Sequence, residues 1–81
     1  TAPDNAHAKR PANNDLSARE REILIAVAHG LMNKEIAARF HISVNTVMTH
    51  RKSITRKTGI KTVAGLTVYA LLNNYIRQEE I

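Results

Sequence analysis

Residues 33–54 leave this chain few folds to choose from. Over 22 residues, two helical patterns flank a turn of three or four residues, the shape of a helix-turn-helix. Ile36 and Phe40 stand one turn apart on the first helix. Ala37 is small where the two helices must cross closely. His41 occupies the turn, and His is among the residues enriched in the left-handed backbone region. Ile42 follows and plugs the crossing, and Val47 and Ile54 anchor the second helix. Seven positions therefore agree within one unbroken run. The chain has 81 residues, enough for one small domain and too few for a β-sandwich or an α/β barrel. No period-2 alternation persists, so no strand is expected. The expected fold class is all-α, with four helices.

The remaining helices are marked by their ends. Leu16 and the capping box Ser17-Ala18-Arg19-Glu20 start the first, Ile23, Leu24, Val27 and Ala28 form its apolar stripe, and Gly30 closes it. The second is expected from Asn33 as N-cap, with Glu35 in its first turn and Ile36, Ala37 and Phe40 buried. The third opens at Ser43 and runs over about 44–58, to Gly59. The fourth is expected over about 62–76, with Val63, Leu66, Ala70 and Ile76 on one face. Residues 1–15 hold both prolines, three asparagines and no large apolar residue. They read as a flexible linker or tail, because such a segment buries too little surface to offset its ordering entropy. The domain is expected over 16–78, with 79–81 as the C-terminal end.

Charge adds a direction. The chain carries 12 Lys+Arg against 7 Asp+Glu, a net +5. No acid stands between Glu35 and Glu79, while Arg39, Arg51, Lys52, Arg56, Lys57, Lys61 and Arg77 lie in that interval. A field of this sign seeks a polyanion, either nucleic acid or a membrane surface. No run of 18 apolar residues is present to span a membrane. At about 100° per residue, the third helix turns Val47, Ile54 and Thr58 inward. Asn45, Thr49, Lys52 and Arg56 then face outward, flanked by Met48 and Ser53. A core stripe opposite a polar, basic face without carboxylates suits a helix lying in the major groove. Lys52 has the chemistry to donate to guanine O6 and N7, and Thr49 and Met48 to touch a thymine methyl. Arg56 and Lys57, farther along, suit phosphates. Arg51 projects near the core stripe: either its guanidinium snorkels to a phosphate, or it is a core-rim arginine. The amides opening the second helix, with Asn33 and Lys34, suit a phosphate, and Asn33 also suits plain capping.

Catalysis finds no support. His7, His29, His41 and His50 form no pair with metal-ligand spacing and a third partner, and there is no cysteine for a thiolate site or disulfide. Asp4 and Asp15 lie in the leader, while Glu20, Glu22 and Glu35 sit in first turns, where caps and helix dipoles account for them. No Gly-rich phosphate loop is present. We therefore expect no enzyme, no metal and no cofactor. With no visible signal peptide, the chain is expected to be a cytoplasmic piece of an intracellular protein.

The runs L-S-A-R-E-R-E-I-L, G-L-M-N-K-E-I-A, I-S-V-N-T-V and H-R-K-S-I-T-R-K-T-G-I, in that order, resemble the LuxR-type DNA-binding domain. This is the effector domain of NarL/FixJ-class response regulators and of quorum-sensing regulators. The resemblance spans about residues 16–76. It implies double-stranded DNA as the partner, a third helix reading bases through Met48, Thr49 and Lys52, and a fourth helix forming a homodimer contact on DNA. It also implies phosphate contacts from Asn33, Lys34, Thr46 and His50, with basic residues near Lys57. Three departures stand out. Met48 replaces the usual Lys, Thr58 the usual Leu and Gly65 the usual Glu. Gly65 costs helix propensity, about 1 kcal/mol against Ala, and is expected to permit close approach across a dimer. Ala64, Val68, Leu71 and Tyr75 form an apolar second face of the fourth helix, read as the dimer seam or as packing on the first helix.

The expected function is sequence-specific DNA binding by a transcription regulator, on an inverted repeat. An N-terminal receiver or ligand sensor is expected beyond the linker. Two other readings compete: a sigma-factor region-four-like promoter binder, and a basic module docking an acidic protein.

Overall fold

The computed structural model describes residues 16–80; the expected linker at 1–15 lies outside them. Four helices, α1 (Ala18–Ala28), α2 (Asn33–Phe40), α3 (Val44–Thr58) and α4 (Val63–Leu72), precede a short 3-10 turn at Gln78–Glu80. Among the described residues there is no strand. α1 lies at the centre, packed on α4 and α3, and α2 packs mainly on α3.

Each helix starts and stops for a local reason. Ser17 Oγ accepts the Glu20 N–H at 3.1 Å, and Glu20 Oε1 accepts the Ser17 N–H at 2.8 Å, so α1 opens on a complete capping box. Gly30, at φ 91°, closes it, and the Leu31 N–H reaches back to the Ala26 carbonyl at 3.1 Å. The residue capping α2 is Met32, not Asn33. Met32 has no side-chain oxygen to offer, and Glu35 Oε1 instead accepts the Met32 N–H at 2.6 Å. His41 ends α2 in the left-handed region, at φ 57°. Ser43 caps α3 by accepting the Thr46 N–H at 3.0 Å, and Gly59, at φ 75°, stops it. At that end the Thr58 hydroxyl donates to the Ile54 carbonyl and accepts the Ile60 N–H, at 2.8 and 3.1 Å. A leucine at this position offers neither bond.

α4 is shorter than its apolar pattern predicts. Asn73 caps it, Asn74 takes φ 60°, and the Tyr75 N–H bonds the Ala70 carbonyl at 2.8 Å. Two consecutive asparagines, which tolerate the left-handed region, break the helix where periodicity alone continues it. Ile76 still reaches the core, 3 % exposed, carried there by the turn rather than by a helical face. Val63, expected inside, is 49 % exposed at the first turn of α4.

The core is built from Leu16, Ile23, Leu24, Val27, Ile36, Val47, Ile54, Leu66, Ala70 and Ile76. Ile23, Leu24, Ile36, Val47 and Ile54 are fully enclosed, and each such side chain is worth about 1.5–3 kcal/mol relative to exposure. Gly65 has a reason within the chain. A Cβ there would stand 2.6 Å from Ile60 Cγ2 and 3.0 Å from Thr62 Oγ1. The Ile60 methyl is fixed on a β-branched carbon and has little room to yield.

One buried polar group joins α1 to α3. Glu20 is 6 % exposed. Its Oε1 accepts Lys57 Nζ at 2.8 Å, and its Oε2 accepts the Ser53 hydroxyl at 2.6 Å. Burial alone would raise its pKa. The hydrogen bonds from Lys57, Ser53 and the Ser17 N–H, with the Lys57 charge, outweigh burial and hold it at about 2, against an ordinary 4.5.

The depressed pKa sets a sign. Its stabilisation is complete above pH 4.5 and is lost as pH falls toward 2. The shift corresponds to about 3 kcal/mol. Glu20→Gln is expected to flatten the stability-versus-pH curve over this window, as read from urea unfolding at each pH. An unchanged acid limb contradicts the assignment. Gly65→Ala is expected to lower the urea midpoint despite its propensity gain of about 1 kcal/mol, because the methyl meets Ile60. In an Ile60→Ala background the same change should raise it. A gain in the parent background refutes the close contact.

Candidate nucleic-acid interface

α3 carries the candidate site because its two faces are chemically separate. Val47 and Ile54, 0 % and 1 % exposed, fix one face in the core. Asn45, Thr49, Lys52 and Arg56 stand exposed on the opposite side, and Met48, at its edge, is 44 % exposed. The Thr49 hydroxyl donates to the Asn45 carbonyl at 3.0 Å, which orients that side chain along the helix. Arg56 Nη2 reaches Ser53 Oγ at 3.4 Å, a long contact that leaves it at the surface. No acidic residue occurs on α3. The outward face is thus polar and cationic along its length.

The expected phosphate-contacting residues fall into different settings. Lys34 is exposed in the first turn of α2. Thr46 is exposed in the first turn of α3, where its hydroxyl shares a hydrogen bond with Ser43 at 3.0 Å. His50 is half-buried. Arg51 is half-buried. Its Nη1 donates to Asn33 Oδ1 at 2.7 Å, tying the start of α2 to the middle of α3. Asn33 is therefore not the cap of α2; its carbonyl oxygen serves the arginine. Lys57 is 29 % exposed at its side chain and committed to Glu20. Two of the four cations of α3 thus hold the fold, while Lys52 and Arg56 stand exposed on the outer face.

Sequence reasoning missed the role of Glu20, because a first-turn acid is explained well enough by capping. The acid-free run from Val44 to Thr58 was the available signal: cations on its inner side need a carboxylate from elsewhere, and buried charges are paired.

On α4, Ala64 and Val68 are exposed and Leu71 is half-buried. Tyr75 does not share their face, since the helix ends at Leu72. Its ring meets Tyr69 edge-on with centroids 6.3 Å apart, and the Arg21 guanidinium lies 5.9 Å from it. Leu72, which sequence reasoning left out, is 77 % exposed and extends the strip. Val68 points almost directly away from Leu66 and Ala70 at about 100° per residue.

Among the described residues, no group of three or more His, Cys, Asp or Glu is placed to hold a metal ion. No described helix is long and apolar enough to cross a membrane.

Known proteins carry the same pattern. The transcriptional regulatory protein MctR of Rhizobium johnstonii is 48 % identical over 59 residues, covering 73 % of this chain and 28 % of that protein. The response regulator protein VraR of Staphylococcus aureus is 39 % identical over 62 residues, covering 76 % of this chain and 30 % of VraR. VraR of Staphylococcus epidermidis matches to the same extent. The chain thus spans less than a third of the length of these curated relatives. No solved structure gives a significant match. Residues 14–70 match the family described as bacterial regulatory proteins, luxR family. With four helices in the order that its helix-turn-helix requires, this chain belongs to the luxR family of bacterial regulatory proteins, as a DNA-binding domain of transcription regulators.

Proposed function

We propose that this chain is the effector domain of a signal-responsive regulator, and that α3 reads operator DNA from the major groove. The observation that carries this reading is the division of α3. Its inner cations are held by Glu20 and Asn33, while Asn45, Thr49, Lys52 and Arg56 face outward with no acid among them. Asn45, Met48, Thr49 and Lys52 take the base edges. Asn33, Lys34, Thr46, His50, Arg51, Arg56 and Lys57 lie toward the backbones, with Lys34 and Arg56 the most available of the cations among them. Arg51 and Lys57 contribute through position and field, since their nearest partners are within the chain.

The exposed strip of Ala64, Val68 and Leu72, with Leu71 at its edge, serves a second copy of the domain on an inverted repeat. A contact of this size is small, so an N-terminal signalling domain, a receiver or a ligand sensor, supplies the effective concentration that makes dimeric binding tight. The domain works where the chromosome is, in the cytoplasm.

Selection from a randomised DNA pool at two salt concentrations tests this. An enriched inverted repeat supports dimeric recognition, and a lone promoter-like half-site supports the sigma-type reading. No enrichment at either salt contradicts sequence-specific recognition and leaves a basic module for acidic proteins. On the selected site, Lys52→Ala should cost about 1–3 kcal/mol and relax preference at one base pair. Lys34→Ala should weaken all sequences alike and reduce the salt slope by about one unit. A selective loss from Lys34→Ala, or a uniform one from Lys52→Ala, reverses these roles. Val68→Asp should weaken binding to the full repeat and leave half-site affinity unchanged in a mobility-shift titration. An equal loss on both removes α4 from the dimer.

A further inference from the structure

The base-facing side of α3 is not uniformly polar. Val44 is 40 % and Met48 44 % exposed, two of the exposed large hydrophobic side chains among the described residues. At about 100° per residue, Val44, Met48 and Thr55 fall within about 40° of one another and make one strip. Met48 and Thr55 line a shallow open groove together with Asn33, Arg51 and Lys52. The strip therefore runs beside the cations and the amide that face the expected DNA strand.

Thr49 adjoins it. Its hydroxyl proton is given to the Asn45 carbonyl at 3.0 Å. What it offers outward is its methyl group and oxygen lone pairs, with no donor. Next to Lys52, then, the surface presents a thioether and methyls. A cation at position 48 would serve guanine O6 and N7. A thioether serves neither, and in the major groove the apolar feature of a base edge is the thymine C5-methyl.

We propose that Met48, assisted by the Thr49 methyl, reads the C5-methyl of a thymine beside the base pair met by Lys52, so that affinity depends on that methyl group. This rests on the proposed placement of α3 in the major groove. Met48 suits the task because its unbranched, polarisable side chain adapts to an irregular apolar surface. Lys52 alongside supplies the charge that brings the strand close.

The test uses the duplex selected from the random pool, with each thymine replaced in turn by deoxyuridine. This removes the methyl and keeps every hydrogen-bonding group. One position in each half-site should lose about fourfold in affinity, the value of one buried methyl. In Met48→Ala that loss should shrink below twofold, while Lys52→Ala and Thr49→Val, which keeps the methyl, should retain it. Circular dichroism checks that the variants fold; Met48 is exposed, so its removal leaves the core intact. The proposal is overturned if no deoxyuridine substitution alters affinity, or if Met48→Ala discriminates as strongly as the parent. Selective binding without methyl dependence overturns this inference alone. Failure to select any sequence overturns the placement of α3 as well.

Discussion

A single carboxylate, Glu20, sets the geometry on which the rest depends. It closes the first turn of α1 through Ser17, and accepts Lys57 at 2.8 Å and Ser53 at 2.6 Å from α3. At 6 % exposure, an unpartnered carboxylate is costly to bury. With three donors it is instead held ionised. The same contacts stop α3 from rolling about its axis, because Ser53 and Lys57 lie one turn apart on one side of it. Rolling would move Thr49 and Lys52 off the outward face. The register of the candidate site is therefore set on the side of α3 away from the groove.

The other edge of α3 has its own tie. Arg51 donates to Asn33 at 2.7 Å and holds the start of α2 against the middle of α3. The left-handed turn at His41 lets the two helices meet, and Ala37 keeps their crossing close. Two cations, one on each side of α3, are thus spent on position. The long-range field of the domain still includes them, but their hydrogen-bonding capacity is partly taken. A basic helix is not a uniform binding surface, and counting its charges overstates its contacts.

Local signals made much of this legible in the sequence. Ser17 with Glu20, Ser43, Gly30 and Gly59 mark helix ends by chemistry that acts within four residues, and they mark them where the structure has them. The inward placement of Ile23, Leu24, Ile36, Val47 and Ile54 follows from a 3.6-residue period. Sequence and structure part where a local rule has a distant competitor. Asn33 is a good capping residue, but Arg51, eighteen positions away, claims its oxygen. Gly65 has a reason that no local rule shows, because Ile60 Cγ2 occupies the space a Cβ would need. The pattern after Leu72 continues to look helical, and only the left-handed conformation of Asn74 ends it. Glu20 satisfies a capping rule so fully that nothing local points to its partners on α3. On the site itself, periodicity distinguished the two faces of α3, but could not tell which cations the fold would keep.

In the proposed reading, the outward face of α3, with the first turn of α2, meets DNA. Backbone amide spectra of the isotope-labelled domain, titrated with its selected duplex, test it most directly. The largest shifts are expected at Asn45, Met48, Thr49, Lys52 and Arg56, with a second group at Asn33 and Lys34 and little change around Ile25 and Arg39. Shifts concentrated on the α1–α2 surface at Ile25, His29 and Arg39, with α3 unperturbed, would contradict it.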